Sequence, residues 1–213
     1  MSDFVCDFRV VGPVQTNCFF FYDRDSGAGI AVDPGDEADK LARYVEEKHL
    51  KMEAILLTHG HFDHIMAVED LRKRWDVPVY ASQEERVVLE NPQINLSVQM
   101  GEPLSLAADR YLSDGEELEL MGQKVRCILT PGHTSGGMCY YFPKQGVLFS
   151  GDTLFQESVG RTDFPTGSMS TLIRSIREKL WPLAPATKVY PGHGMMTSIE
   201  SEKLYNPFAA ENR

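Results

Sequence analysis

The sequence contains the stretch Thr58-His59-Gly60-His61-Phe62-Asp63-His64, in which four possible metal donors lie within six residues. It follows directly on Ala54-Ile55-Leu56-Leu57, a short apolar run typical of a buried strand. Imidazole and carboxylate donors in this combination suit zinc, iron or manganese. In extended backbone the first two histidines point the same way, whereas the aspartate and the last histidine fall where the chain turns into a helix. The segment therefore offers donors to two neighbouring metal ions.

Three later segments each present one more donor just after a predicted strand. Thr130-Pro131-Gly132-His133-Thr134 and Tyr190-Pro191-Gly192-His193-Gly194 each place a histidine in a Pro-Gly turn. Phe149-Ser150-Gly151-Asp152-Thr153 places an aspartate directly after a glycine. A strand followed by glycine and a donor is the arrangement of a site built on loops that a rigid scaffold holds. We therefore predict one metal site rather than scattered surface histidines.

Apolar patterning predicts a mixture of strands and helices along the rest of the chain. Strands are expected at residues 4–11, 17–22, 29–32, 54–57, 77–80, 124–129, 138–142, 146–150 and 187–190. Helices are expected at residues 37–49, from the histidine motif to about 75, at 83–89, at 170–180 and at 198–204. Residues 91–114 show no legible pattern, and both a loop beside the site and irregular packing stay open. This mixture without strict alternation is compatible with two mixed sheets and helices outside them.

The composition is that of an ordinary globular protein. Of 213 residues, 42% are hydrophobic and 24% are charged, which suits a single domain over residues 1–213. The formal net charge of -10 argues against binding a phosphate backbone, so we expect no nucleic-acid partner. No apolar run approaches the ~20 residues of a membrane-spanning helix, so no membrane partner is expected. The N-terminal residues 1–7 carry acidic rather than basic side chains, and the protein is therefore expected to be cytoplasmic.

The order of these motifs resembles that of the metallo-β-lactamase superfamily, and the resemblance runs from Asp33 to His193. It implies an α+β fold, the αββα sandwich of two mixed β-sheets flanked by helices, with the metals at one edge of the sheets. It also implies two groups of ligands and one bridge between them: His59, His61 and His133; Asp63, His64 and His193; and Asp152. Asp33 matches a family aspartate that supports the ligands from behind, although the bare sequence would make it only a turn residue.

Such a site predicts hydrolysis. Two divalent cations, zinc by preference with iron or manganese as alternatives, can share a water and lower its pKa toward about 7. The metal-bound hydroxide would attack a carbonyl, and a metal would stabilise the oxyanion that develops. Asp63 touches both metal and water in this layout, so it is the candidate catalytic residue that orients the nucleophile or moves a proton. An ester, a thioester, an amide and a phosphodiester all stay open as substrates at this point.

Three stretches resemble the short bacterial glyoxalase II-like (hydroxyacylglutathione hydrolase-like) thioesterases. They are Leu56-Leu57-Thr58-His59-Gly60-His61, Val159-Gly160-Arg161-Thr162-Asp163-Phe164-Pro165 and Asn206-Pro207-Phe208. The resemblance implies a small-molecule thioester as substrate, S-D-lactoylglutathione or a related acyl-thiol. Full-length glyoxalase II carries a further C-terminal helical domain that contacts glutathione. The sequence after His193 is too short for such a domain, so another thiol carrier stays open.

Two side chains are candidates for contact with the substrate. Arg161 can anchor a carboxylate or form a structural ion pair, and the sequence favours neither. Tyr141, in the strand after the His133 turn, can approach the site or pack in the core, as can Tyr140.

The principal alternative function is that of an oxygenase. Gly160-Arg161-Thr162-Asp163-Phe164 also resembles persulfide dioxygenases of the same superfamily. These use one iron held by two histidines and a carboxylate, here His59, His133 and Asp152. A β-lactamase is disfavoured because many of those enzymes place Cys where this chain has Asp152. A purely structural metal centre is disfavoured because structural zinc sites are usually closed and rich in cysteine.

Overall fold

The computed structural model describes residues 3–210, and the first half of the chain forms six strands and four helices. Met1 and Ser2, part of the N-terminal segment considered above, lie outside the described residues, as do residues 211–213. The elements are β1 (Phe4–Val11), β2 (Thr16–Asp23), β3 (Ala28–Val32), α1 (Ala38–Glu47), β4 (Lys51–Leu56), α2 (Phe62–Ile65), α3 (Val68–Trp75), β5 (Val79–Ser82), α4 (Arg86–Leu89) and β6 (Arg110–Leu112). Two 3₁₀ turns, Gln83–Glu85 and Ser97–Met100, flank α4.

The second half of the chain forms eight strands and two helices. The elements are β7 (Glu117–Leu120), β8 (Gln123–Leu129), β9 (Met138–Phe142), β10 (Val147–Gly151), β11 (Leu154–Phe155), β12 (Ser158–Val159), α5 (Met169–Ser175), β13 (Lys188–Pro191), β14 (Thr197–Ser198) and α6 (Ile199–Tyr205). α5 runs on into a π-helical turn at Ile176–Leu180.

The strands form two mixed six-stranded sheets and one small hairpin. The first sheet has the order β1-β2-β3-β4-β5-β6, and the second has the order β14-β13-β10-β9-β8-β7. β11 and β12 pair only with each other. β3, β4, β5 and β6 run parallel, and so do β10 and β13, whereas the outer hairpins are antiparallel. The prediction of two mixed sheets with helices on their outer faces is confirmed.

Alternation along β2 shows how one strand serves two cores. Phe19 and Phe21 pack between the sheets against Phe149, whereas Phe20 and Tyr22 pack under the helices on the other face. Successive side chains of a strand point to opposite faces, so a strand covered on both sides reads as a continuous apolar run. This explains why Thr16–Tyr22 is buried along its whole length.

Helices close the outer face of each sheet. On the first sheet, α1 buries Leu41 and Tyr44 against strand residues such as Phe20. On the second sheet, Leu172 of α5 and Ile176 of the π-helical turn that follows it lie four residues apart and pack against the strands. Both helices therefore bury one face only, as amphipathic helices on a sheet do.

The parallel strands determine where the predicted donors meet. The carboxyl ends of β3, β4, β10 and β13 lead into Asp33, the histidine motif, Asp152 and His193, respectively. Because parallel strands present their carboxyl ends at the same edge of a sheet, all four loops lie at one edge of the sandwich. The fold therefore collects donors that are far apart in sequence.

Most predicted elements are found within a few residues of their expected bounds, and the exceptions are short. Residues 91–114 contain the 3₁₀ turn at Ser97–Met100 and the edge strand β6, neither of which alternates clearly in sequence. Strands β11, β12 and β14 have two residues each, too few for any periodicity to show. Within residues 3–210, every helix is too short or too polar to cross a membrane.

Phe142→Ala tests the packing between the sheets. Phe142 is fully buried on β9, with its ring centroid 4.7 Å from that of Phe21. The substitution leaves a large cavity at the end of the sandwich away from the metal loops, so we expect unfolding to cost about 3–5 kcal/mol less. Chemical denaturation measures the change. Val87→Ala, at an exposed position of α4, is the control and should shift stability by less than about 0.5 kcal/mol.

Candidate metal centre

The histidine motif lies at the junction of β4 and α2. His61 has extended backbone and directly precedes α2, whose first turn contains Asp63 and His64. Extended backbone therefore carries His59 and His61, and helical backbone carries the last two donors. The predicted change of direction within the motif is present, and it aims the two pairs at different points.

A first group of donors consists of three buried imidazoles, those of His59, His61 and His133. Nε2 of His133 lies 2.9 Å from Nδ1 of His61 and 3.2 Å from Nε2 of His59. Donors around one tetrahedral zinc, with bonds of about 2.0–2.1 Å, would stand about 3.3 Å apart. The three nitrogens are thus spaced as ligands of a single cation.

A second group, formed by Asp63, His64 and His193, lies beside the first. Oδ2 of Asp63 is 3.1 Å from Nε2 of His193 and 3.4 Å from Nε2 of His64. His64 is fully buried, whereas the side chain of His193 is 28% exposed, so this group borders solvent. It combines one carboxylate with two imidazoles, a donor set that suits zinc, iron or manganese.

Asp152 lies between the two groups. Its Oδ2 is 3.6 Å from Nε2 of His133, and its Oδ1 is 3.5 Å from Nε2 of His64. One carboxylate therefore faces a member of each group with a different oxygen. This is the position that the resemblance implies for a bridging ligand.

Three buried atoms of the centre lack a hydrogen-bond partner, and they test whether metal ions fit. They are Nε2 of His61, Nε2 of His64 and Oδ1 of Asp152. Native proteins rarely bury a polar atom without a partner, because the lost hydration costs about 1–3 kcal/mol. Nε2 of His64 and Oδ1 of Asp152 face each other at 3.5 Å, and a cation between them would satisfy both atoms, whereas His61 faces the first group with Nδ1. Together with the spacing of the first group, this shows that the residues present fit two metal ions.

Protonation differs between the two groups. Burial, together with neighbouring histidines, lowers the pKa of His61 to about 3 and holds that of His59 well below its usual value. Burial acts the same way on His64, but the carboxylates of Asp63 and Asp152 outweigh it and raise its pKa well above the usual value. His59 and His61 therefore present neutral imidazoles, the form that binds metal.

Asp33 supports the motif from behind, as the resemblance implies. One carboxylate oxygen accepts a hydrogen bond of 2.8 Å from the backbone N–H of Thr58, and the other lies 3.0 Å from Nδ1 of His64. A partner on Nδ1 fixes the orientation of the ring and leaves Nε2 free for metal. Asp33 is buried and has a positive φ of 52°. The backbone of its turn therefore holds the carboxylate in position for this contact.

Two glycines allow the donor loops to approach one another. A Cβ at Gly151, where φ is 49°, would overlap the side chain of Thr58. A Cβ at Gly192 would overlap both Asp152 and His64. Any larger residue at either position would push the loops apart, which explains the glycine before the donor at both strand ends.

Three positioning residues were not identified from the sequence. Thr16 donates a hydrogen bond of 2.9 Å to Oδ2 of Asp63, and the side-chain amide of Asn17 donates 3.0 Å bonds to the carbonyls of Pro191 and Gly194. The start of β2 therefore holds both Asp63 and the His193 turn. The clue in the sequence was a buried polar pair opening an otherwise apolar strand.

Glu85 is the third residue that the sequence did not reveal. Its carboxylate is 1% exposed and accepts hydrogen bonds from the N–H groups of Gly60 and Gly136 and from Oγ1 of Thr134, at 2.8–2.9 Å. Gly60 lies between two donors of the histidine motif, and Thr134 directly follows His133. Glu85 therefore joins the two loops that supply the first group, and burial raises its pKa to about 7.

A pocket of about 410 Å³ opens onto both groups. Besides the donors, its walls are formed by Val14, Phe62, Leu96, Gln99, Phe155, Val159, Arg161 and Phe164. Leu96 and Gln99 belong to the segment 91–114, so part of that segment is a wall of the site.

The two candidate substrate contacts have different outcomes. Arg161 lines the pocket, and its guanidinium forms two hydrogen bonds of 2.7 Å with the carboxylate of Asp163. Tyr141 is instead buried in the cluster between the second sheet and α5, among residues such as Leu148. Strand alternation turns its ring to the helix side of β9, which corrects the expectation that it contacts substrate.

The match to a family model agrees with this geometry. The model of the metallo-β-lactamase superfamily matches residues 11–193, and the chain belongs to this superfamily. The matched range contains every donor named above.

Two curated relatives cover nearly the whole chain. A probable metallo-hydrolase, YqgX of Bacillus subtilis, is 40% identical over 93% of this chain and 94% of its own length. The hydroxyacylglutathione hydrolase GloC of Haemophilus influenzae is 39% identical over 91% of this chain and 92% of its own length.

Three solved structures share the fold. BLEG-1, described as a B3 metallo-β-lactamase, superposes with a TM-score of 0.91 at 40% identity, covering 96% of this chain and 99% of its own. TTHA1623 in a di-iron-bound form gives 0.82 at 34% identity, with coverages of 95% and 99%. ETHE1 from Myxococcus xanthus gives 0.81 at 27% identity, with coverages of 98% and 86%.

Glu85→Ala tests the link between the two loops. The substitution leaves three buried donors without an acceptor, so we expect a loss of about 3–5 kcal/mol in the free energy of unfolding of the metal-free protein. Chemical denaturation measures this loss. Glu84→Ala, in the same turn but exposed, is the matched control, and an equal loss in both variants would contradict the role of Glu85.

Glu85→Gln tests the effect of pH. Because the pKa of Glu85 is higher in the folded state (about 7) than its ordinary value of 4.5, the folded state binds the proton more tightly. Wild-type stability gained in this way is complete below about pH 4.5 and is lost as pH rises through about 7. The difference in unfolding free energy between wild type and Glu85→Gln should change across this window. A constant difference would show that Glu85 does not titrate there.

Proposed function

We propose that this protein is a binuclear metallohydrolase that cleaves S-D-lactoylglutathione or a related acyl-thiol. The observation that carries the proposal is the position of Asp152 between two groups of donors, with its Oδ1 and Nε2 of His64 both buried without a hydrogen-bond partner. The description of GloC as a hydroxyacylglutathione hydrolase supports the thioester as substrate. The di-iron form of TTHA1623 supports two metal ions, and the imidazole-rich donor set favours zinc with iron or manganese as alternatives. The substrate is a small molecule, and we propose no nucleic-acid or membrane partner.

The metal ions would lower the pKa of a shared water toward about 7 and stabilise negative charge on the attacked carbonyl oxygen. The chain itself would orient the reactants. Asp63 is held by Thr16 and His193, which keeps one carboxylate oxygen at the border between the second group and the pocket. From there it can accept the proton of the attacking water and pass it to the departing sulfur. Hydrolysis of the C–S bond then yields one carboxylic acid and one free thiol.

Aromatic side chains of the pocket limit the access of bulk water to the metal centre. Phe155 and Phe164 line opposite stretches of the wall, with Phe164 5.6 Å from the ring of His61 and Phe155 6.3 Å from that of His193. These rings shield the donors from bulk solvent and strengthen electrostatic interactions in the site.

A second candidate is the mononuclear iron persulfide dioxygenase. The contacts of His133 with His59, at 3.2 Å, and with Asp152, at 3.6 Å, bring two histidines and one carboxylate together. This set suits a non-haem iron with open positions. The resemblance of residues 160–164 to persulfide dioxygenases supports this candidate, and the fold is shared with ETHE1 from Myxococcus xanthus.

Metal analysis together with a substrate panel distinguishes the candidates. Protein purified without added metal is analysed by mass spectrometry, and the same sample is assayed for thiol release from S-D-lactoylglutathione. We expect about two metals per chain together with thiol release. One iron per chain, no hydrolysis, and oxygen uptake with glutathione persulfide would favour the dioxygenase. Because BLEG-1 is described as a β-lactamase, the panel includes a β-lactam.

His59→Ala and Asp152→Ala test the assignment of the centre. We expect each variant to lose at least about 99% of the activity and to bind less metal, because each removes a ligand. Far-ultraviolet circular dichroism should show that the fold persists. His49→Asn removes an exposed histidine that precedes β4, at the end of the strand opposite the histidine motif, and serves as the control, with unchanged metal content. Full activity in either ligand variant would contradict the site.

A further inference from the structure

Two clefts meet at the metal centre, and they differ in chemistry. The 410 Å³ pocket described above and a second groove of about 250 Å³ share Phe62 and Asp63. A substrate whose reacting carbonyl lies at Asp63 therefore has two directions in which to place its two arms. For a thioester these arms are the acyl group and the thiol.

The larger pocket is apolar beyond the donors. Val14, Leu96, Phe155, Val159 and Phe164 form its walls, and Gln99 adds a polar but uncharged side chain. Val14 is 46% exposed, so it lies at the rim of the pocket. An apolar substrate group that covers its side chain would remove apolar surface from water and so favour binding. Each methylene that leaves water for such a wall contributes about 0.8 kcal/mol to binding.

The smaller groove carries negative charge. Its lining includes the carboxylates of Asp36 and Glu102, alongside Met66 and Met100, and it contains no Lys, Arg or His among the described residues. A carboxylate placed there would meet two like charges. At about 7 Å in water-like surroundings, each like charge costs about 0.6 kcal/mol.

The single cation of the larger pocket is already neutralised. Nε and Nη2 of Arg161 each donate a hydrogen bond to the carboxylate of Asp163, and the central carbon of the guanidinium lies 3.9 Å from the ring centroid of Phe164. The pair is well exposed and contributes little to stability. It nevertheless carries no net charge, so it offers an anionic substrate little attraction.

We infer that this site selects acyl-thiols with an apolar acyl group and an uncharged thiol arm, rather than conjugates of a thiol that carries two carboxylates. The inference rests on the proposed thioesterase activity and specifies its substrate class. The apolar pocket takes the acyl group, and the acidic groove receives the thiol arm and discriminates against carboxylates on it.

Three thioesters separate the contributions of the two arms. S-hexanoyl-N-acetylcysteamine has an apolar acyl group and a neutral thiol, S-hexanoylglutathione changes only the thiol, and S-D-lactoylglutathione then changes only the acyl group. We expect kcat/KM to fall at each step, and by at least about tenfold over the series. Raising the ionic strength from about 0.05 to about 0.5 M should increase kcat/KM for the glutathione conjugates and leave the neutral substrate unchanged.

Variants in each cleft test the two arms separately. Glu102→Gln removes one charge from the groove and should raise kcat/KM for S-hexanoylglutathione relative to the neutral thioester by about two- to fivefold. Glu119→Gln removes the same charge from an exposed position of β7 and should leave the ratio unchanged. Phe164→Ala should lower kcat/KM for hexanoyl substrates more than for the lactoyl substrate.

Binding without turnover gives an independent measurement. Calorimetry on the wild-type protein should show that the thioether S-hexyl-N-acetylcysteamine binds more tightly than S-hexylglutathione. Efficient hydrolysis with S-D-lactoylglutathione preferred, and no response to Glu102→Gln, would overturn this inference while leaving the thioesterase intact. Failure to hydrolyse any of the three thioesters at full metal content would instead overturn the proposed function, and this inference with it.

Discussion

The crowding of neutral imidazoles around one point is the constraint on which the rest of this molecule depends. Nitrogens of His59, His61 and His133 lie about as close as hydrogen-bonded atoms, yet burial keeps the rings of His59 and His61 uncharged. In the form that binds metal these nitrogens carry no proton, and lone pairs that face one another in a buried site repel, so the surrounding structure must hold the rings in place. Asp33 does so through the backbone of Thr58, and Glu85 does so through the loops on either side. The donors would otherwise move apart. The buried hydrogen bonds of Asp33 and Glu85 thus keep the metal centre assembled.

Much of this arrangement could be predicted from the sequence because the donors stand beside strand ends and glycines. The motif from His59 to His64 and the three glycine turns are local patterns. Each follows the end of a strand and therefore indicates a position at the edge of a sheet. The roles of Glu85 and Asn17 could not be predicted in this way. Both act through backbone N–H or C=O groups of distant loops, and such contacts leave no trace in residue spacing. The tyrosine pair on β9 shows the same limit, since only the register of β9 in the sheet decides which face Tyr141 occupies.

The substrate pocket shows how one fold can accommodate different reactions. The donors come from loops tied to the parallel strands, whereas the walls come from the β1–β2 turn, the segment 91–114 and the stretch from β11 to Phe164. Hydrogen bonds hold the donor loops in place, whereas the wall side chains of Val14, Leu96, Phe155, Val159 and Phe164 are apolar and hold no donor by a hydrogen bond. Residues of the wall can therefore vary without disturbing the centre, which is consistent with relatives and structural neighbours described by different activities. The substrate that fits therefore depends on the walls of the pocket and their charges rather than on the metal ligands.

Each group of donors takes two members from the first half of the chain and one from the second. A cation bound to either group would therefore tie the two sheets to each other, in the manner of a cross-link that forms and breaks reversibly. Ligands that bind only the native state stabilise it in proportion to the logarithm of their free concentration, by about 2.7 kcal/mol at a hundred times the dissociation constant. The stability of this fold would then rise and fall with the concentration of free metal around it. A shortage of metal would make the chain more susceptible to proteolysis and would also abolish its activity.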